Sequence, residues 1–225
     1  MLLDLIATNN WKRPIYFANP SSVSKVLNVS KYCHMEGVVY RFKPTLAMDY
    51  IKRVGGVDPD DSYKVLMNKG VRWGRLNMPD VNVDRESFRN SMIAKQIYIR
   101  LAQSLANLHK YDSTVKVLDK GIEFFPNSKF PFDYFTIHWA DLYYQAKDTT
   151  KANKIMQQIF DRYMDDLRYY NSLNNKFVDY YSNDIRRALT VIQQMGQLAK
   201  ENGQKVLADK LNKALYKQVK NLNIK

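Results

Sequence analysis

The sequence predicts a mainly α chain in which a small α/β region with two short strands precedes a stack of α-hairpins. Three observations carry this. Aromatic and β-branched runs of the kind that favour strands are confined to the first part of the chain. From Glu86 onward, apolar residues recur at helical spacing, with small residues at regular offsets. The 225 residues are 45% apolar and 25% charged, the balance of a globular chain with a core. Mean hydropathy is −0.48 and apolar runs last only a few residues, whereas a spanning helix takes about 20 in succession. A single cysteine, Cys33, excludes an internal disulfide framework.

Residues Met1 to Asn9 read as a short helix, too short and too acidic for a signal peptide. Trp11 to Ala18 reads as a strand, and Pro14 puts it at a sheet edge or at the strand's start. After the turn cluster Asn19-Pro20-Ser21-Ser22, a second strand is expected over Gly37 to Lys43, closed by Pro44 and able to pair with the first. Gly55-Gly56 reads as a breaker. Asp58-Pro59-Asp60-Asp61 supplies a cap and an acidic first turn for a helix over Asp60 to Asn68. Leu76 to Asp84 is expected to be extended loop. The organisational boundary then falls after residue 85, giving regions 1–85 and 86–225.

Beyond that boundary the helices pair at a repeating spacing. A frame from Lys95 gives Tyr98, Leu101, Ala102, Leu105, Thr114, Leu118, Gly121 and Pro126, which fits most offsets of the roughly 34-residue tetratricopeptide unit. A second frame from Asp133 gives Trp139, Ala140, Tyr143, Ala152, Met156 and Ile159. A weaker third, from Leu189, gives Ile192, Met195, Gly196, Ala199, Ala208 and Leu215. The longer second interval calls for extra turns across Asp161 to Asp184. Small residues at 102, 140 and 196 let the helices of a pair approach closely. Hairpins of this kind bury their apolar faces only by stacking.

Lys plus Arg outnumber Asp plus Glu by 35 to 22, a net charge of +13 spread along the chain. Its densest part is Lys200 to Lys225, with seven Lys against Glu201 and Asp209. These cations are nearly all Lys, which lacks the bidentate fork that Arg offers to bases, so nucleic acid is the least expected partner. Lys205, Lys210, Lys213, Lys217 and Lys220 fit the solvated side of an amphipathic helix, with an anionic membrane surface as the next reading.

The motifs of chemistry are missing. Cys33-His34 are adjacent, and none of His34, His109 and His138 sits in a pair at metal-ligand spacing, so no metal is expected. His138, beside Trp139, reads as a packing or hydrogen-bonding residue. No phosphate loop, dinucleotide turn or nucleophile elbow occurs, which leaves no cofactor and no catalytic residue to name. Asp165-Asp166, among Arg162 and Arg168, reads as surface ion pairing. What remains is a binding groove along the first helix of each hairpin. Its expected lining is Gln96, Ile99, Gln103 and Ala106, then Tyr134, Ile137, Asp141 and Tyr144, then Gln193 and Gln197. Amides, a carboxylate and phenols in that pattern suit a peptide or a glycan. The same side chains could instead be solvated or covered by the N-terminal region. One ring of each adjacent tyrosine pair (143–144, 169–170, 180–181) is expected to face solvent or a partner. Asp112-Ser113-Thr114 and Asp148-Thr149-Thr150 fit a short O-glycosylation pattern in inter-helix turns, but ordinary turn and cap residues are the stronger reading of both.

Five stretches together carry a family likeness: Leu3 to Ala18 (LDLIATNNWKRPIYFA), Met35 to Pro44, Pro79 to Asp84, Pro131 to Phe135 and Asp161 to Tyr170. In that order they resemble the C-terminal soluble region of a bacterial family of polytopic membrane proteins. That family was long catalogued as a domain of unknown function and is now grouped with C-type glycosyltransferases related to protein O-mannosyltransferases. The resemblance implies that a membrane portion outside this sequence carries the glycosyl-transfer site and uses a polyprenyl-linked donor. This chain would then be a non-catalytic tail on the periplasmic face of the inner membrane, docking an acceptor protein, a glycan acceptor or a partner, or stabilising the membrane part. The rival reading is a free-standing tetratricopeptide adaptor that binds peptides, and the third is an enzyme with a site of scattered residues at the junction of the two regions.

Overall fold

The computed structural model describes residues 2–221; Met1 and Lys225, which bound the first and last predicted segments, lie outside them. The chain divides into two compact units, Met1–Phe130 and Pro131–Lys225. The change from mixed to helical structure falls at Asp84, whose side chain caps the next helix by accepting from the Glu86 and Ser87 amides. The first helical hairpin nevertheless groups with the sheet, and an arginine explains why.

The first unit opens with α1 (Leu2–Asn9), followed by β1 (Ile15–Phe17), β2 (Cys33–Glu36), β3 (Val39–Phe42), β4 (Met48–Ile51) and β5 (Gly55–Val57). Next come α2 (Pro59–Tyr63), α3 (Arg85–Asn107) and α4 (Tyr111–Phe124). The two expected strands do pair, antiparallel, with Ile15 opposite Phe42. Among the described residues the sheet has five strands where two were expected, in the order β1-β3-β2-β5-β4, with β2 and β5 parallel. All four residues of β2 are buried, so the alternation that marks a half-exposed strand is lost. The Gly55-Gly56 breaker is itself strand β5: a Cβ on Gly56 would lie 2.2 Å from the Met48 carbonyl oxygen, so glycine is what allows the approach of β4. Trp11, expected in the first strand, adopts φ 58° in a turn and stacks on Phe42, with ring centroids 5.5 Å apart. The expected helix over 60–68 appears as α2, with Asp58 as its cap, continued by a π-helical turn over Lys64–Gly70. Residues 76–84 hold no helix or strand, but the first half runs through turns rather than extended chain, with the Met78 amide donating to the Arg75 carbonyl and the Val81 amide to that of Met78.

Arg100 on α3 binds this helix to the sheet. Its guanidinium donates to the Tyr40 hydroxyl at 2.6 Å and to the Gly55 carbonyl at 2.7 Å. On other sides of the helix Tyr98, Leu101, Ala102 and Leu105 are buried, as are Val117 and Leu118 of α4. Trp73 donates its indole N–H to the Tyr98 hydroxyl at 2.9 Å.

The second unit contains α5 (Ile137–Gln145), α6 (Thr149–Asn171), α7 (Asn175–Tyr180), α8 (Ser182–Glu201) and α9 (Lys205–Asn221). α5 packs on α6, α8 on α9, and α6 on α8, so two hairpins stack through α6. α7 and the end of α6 supply the extra turns expected across 161–184. The small positions behave as the repeat reading requires: Ala102 and Ala140 are fully buried, and a Cβ on Gly196 would meet the Asn212 side chain at 2.7 Å.

All three hairpins close in the same way. Their first helices end with a left-handed residue, His109, Lys147 or Gly203. The next residue's amide then reaches back to Leu105, Tyr143 or Ala199 at 2.8 to 2.9 Å, the Schellman closure that satisfies carbonyls at a helix end. One consequence corrects the glycosylation pattern: residues 112–114 lie in the first turns of α4, not in a turn between helices, and Thr114 is fully buried with its hydroxyl donating to the Lys110 carbonyl. Asp148 caps α6 instead, accepting from the Lys151 amide.

Candidate functional site

On α5, His138, Asp141 and Gln145 recur at helical spacing and share a face. On α8, Gln193, Gln197 and Glu201 do the same, and all three are exposed. Gln145 donates to the Asp141 carboxylate at 3.0 Å, and Gln197 donates to Glu201 at 2.7 Å. Burial pushes the Asp141 carboxyl up from its ordinary pKa. The Gln145 bond and His138 oppose this, while the Glu201 charge adds to it. The charge of Glu201 on α8 thus acts on Asp141 of α5, the two helices being joined through α6. Two carboxylates beside several amides make a surface rich in acceptors, suited to the N–H groups of a peptide or the hydroxyls of a sugar.

Sequence reasoning placed Asp141, Gln193 and Gln197 on this face and missed Gln145 and Glu201. The i, i+4 Gln–Asp and Gln–Glu spacings were the available signal for both. His138, expected to pack or to hydrogen-bond, is exposed on the same face as Asp141, so it is not a packing residue. Tyr134 is exposed, but in a 3-10 turn ahead of α5 capped by a reciprocal Asp133–Thr136 pair.

Tyr144 does not line a groove. It is buried, with its hydroxyl donating to Asn153 of α6 at 2.5 Å, and burial raises its pKa to about 12. Tyr143 is buried as well, so this tyrosine pair has neither ring outward. The Asn153 acceptor lets the second phenol leave water without losing its hydrogen bond.

Gln96 and Gln103 lie half-exposed on α3 in the first unit. Gln103 donates to Asn107, which donates in turn to Asp49 of β4, so this amide is tied toward the sheet edge. Ile99 and Ala106, expected on the same lining, are buried because that side of α3 is covered.

A second cluster in the first unit gathers Glu36, Asp58 and Asp61, whose carboxylate oxygens all lie within 4.8 Å of one another. The Lys43 ammonium already serves as their cation, at 2.8 Å from Glu36, 2.6 Å from Asp58 and 3.4 Å from Asp61. Burial alone would lower the Lys43 pKa, but the bonds to Asp58 and Glu36 raise it well above its ordinary value. Burial would likewise raise Asp58, yet Lys43 and the Asp61 amide hold it below the usual carboxylate range.

Asp58, depressed in the folded state, contributes stability above its ordinary pKa, and this is lost as pH falls through the native value. Lys43, raised, contributes below its ordinary value of about 10.4 and loses that only in stronger alkali. Lys43→Met is therefore expected to be less stable than the parent by about 2 kcal/mol near neutral pH. Urea unfolding should show the gap narrowing as pH falls below about 4. A gap independent of pH would mean that the cluster contributes packing rather than charge.

With this geometry in view, the chain is a mixed α/β unit with an α-hairpin, followed by a unit of stacked hairpins. No described helix is long and apolar enough to cross a membrane. Residues 1–61, which span α1, the whole sheet and the start of α2, match the family model described as TMEM260-associated domain 2. Comparison with curated proteins finds no match, and comparison with solved structures finds none.

Proposed function

We propose that this chain is a non-catalytic interaction domain of a membrane glycosyltransferase-like protein, docking an acceptor protein or partner at the periplasmic face of the inner membrane. The observation that carries the reading is the acceptor-rich face that α5 and α8 form around Asp141, Gln197 and Glu201. Two further features support it. The three like closures and the small residues at helix contacts are what tetratricopeptide-like repeats use to present such faces. The match of residues 1–61 to a TMEM260-associated domain supports the context of a membrane protein. In this reading the transfer chemistry belongs to a membrane portion outside the chain, and the chain contributes recognition.

A pull-down with the full-length protein, comparing the parent with Asp141→Ala/Gln197→Ala, tests it. Partner recovery is expected to fall by about tenfold, the effect of losing one well-placed charged hydrogen bond. Recovery of the same partners in the same yield would remove the docking role from these residues.

A further inference from the structure

We propose that the groove between the last turns of α6 and the C-terminal half of α9 binds an acidic peptide in extended conformation. This site is separate from the α5/α8 face and does not depend on it. The groove encloses about 490 Å³, within the range of about 300–1,000 Å³ usual for small-ligand sites. Met164 and Ala214 form its apolar lining, Arg168 and Lys217 supply cations, and Asn171 and Gln218 supply amides.

The amide pair is the decisive feature. Asn171 donates to the Gln218 carbonyl oxygen at 2.8 Å, which orients both groups. That bond leaves the amide N–H groups of Gln218 and the amide oxygen of Asn171 without partners among the described residues. Gln218 is only 6% exposed, so its orientation is held by the surrounding helices. A donor group on one amide and an acceptor on its bonded neighbour are the complement of a peptide group. A phosphate, which has acceptors alone at its charged oxygens, would be repelled by the Asn171 oxygen.

The cations specify the side chain. Lys217 is exposed and has no partner among the described residues. Arg168 spends one guanidinium nitrogen on Asp165, at 2.6 Å, and retains the others. The C-terminal end of α6 carries partial negative charge of its own, and Arg168 in its last turn offsets it. Exposed Lys210, Lys213 and Lys220 on the same helix as Lys217 add positive potential that draws acidic segments in. An Asp or Glu side chain on the bound peptide would meet Lys217 and Arg168 while its backbone pairs with Asn171 and Gln218.

The test is a titration of the full chain, followed by amide NMR, with acetyl-Gly-Glu-Gly-Asp-Gly-amide and with the matched Gln/Asn peptide. The acidic peptide is expected to shift the side-chain amide signals of Asn171 and Gln218 and the backbone signals near Arg168 and Lys217. The neutral peptide should bind about tenfold more weakly, as should the acidic peptide to Lys217→Gln, a surface change that leaves the fold intact. Asp141→Asn should leave these shifts unchanged, which separates this site from the α5/α8 face. Shifts spread evenly along the α9 lysines, or equal shifts with inorganic phosphate, would overturn the proposal. Binding of phosphatidylglycerol vesicles with no response to the peptide would overturn it too, and make the groove a membrane contact.

Discussion

Gly56→Ala is expected to produce the largest loss of stability of any single methyl addition in the first unit. The new Cβ would stand 2.2 Å from the Met48 carbonyl oxygen and 2.5 Å from the Ala47 Cβ, so backbone and a buried side chain both have to yield. Overpacking costs about 1–3 kcal/mol, and an obstacle made of backbone puts this change at the upper end, about 3 kcal/mol. In a chain of this size that corresponds to roughly 10 °C in melting temperature. Gly74→Ala is the control. Its Cβ would meet nothing within 4 Å, and only the strain of φ +66° remains, about 1 kcal/mol. Thermal melts of the two variants should differ accordingly. Similar losses for both would show that β4 and β5 have room to separate.

Arg100→Met is expected to come next. The change keeps the length and apolar stem of the side chain and removes only the guanidinium. It leaves the buried Gly55 carbonyl and the Tyr40 hydroxyl without their donor, and takes away a cation lying 5.7 Å from the Tyr40 ring centre. Hydrogen bonds to charged groups contribute about 1.5–3 kcal/mol each, so a loss of about 3 kcal/mol is expected for the pair. Arg100→Lys should recover little of it, because one ammonium cannot serve two acceptors in the geometry of the planar fork. Hydrogen exchange gives a second readout: the α3 amides and those of β5 should lose protection together. Loss confined to α3 would mean that the sheet holds without this tie.

These two residues also show where sequence reading succeeds and where it stops. Tyr98, Leu101 and Ala102 announce their burial through helical spacing, and all three are buried. Arg100, two residues from Tyr98 in the same helix, looks in sequence like any surface cation. Its partners are Tyr40 and Gly55, far away in the chain, and no local pattern relates them. The same holds for Gly55-Gly56. Glycine pairs break elements when read locally, and here the pair forms a strand because β4 crosses too close for a side chain. β2 went unseen for a related reason: burial of all four of its residues erases the period-two signal.

The candidate face divides along the same line. Asp141, Gln193 and Gln197 were legible because a repeating helix pattern says which side of each first helix turns away from its hairpin partner. Tyr144 was misplaced because its hydroxyl found an acceptor on α6, which the pattern of α5 alone does not contain. Glu201 was missed because its relation to Asp141 exists only once α5 and α8 are stacked through α6. Lys43 is a parallel case in the first unit. Asp58 and Asp61 were recognised as helix-start charges, but their shared cation arrives from β3's end.

By itself, then, the amino-acid order determined what nearest neighbours can decide: which segments are helical, where they are capped, which small residues permit close hairpins, and how basic the surface is. Each of these depends on groups within one or two helical turns. Tertiary structure alone decided the five-strand order, the seat of Arg100, the influence of Glu201 on Asp141 and the amide pair of the α6/α9 groove. Those pairings join residues tens of positions apart, and their free energy arises only when the intervening chain has already folded.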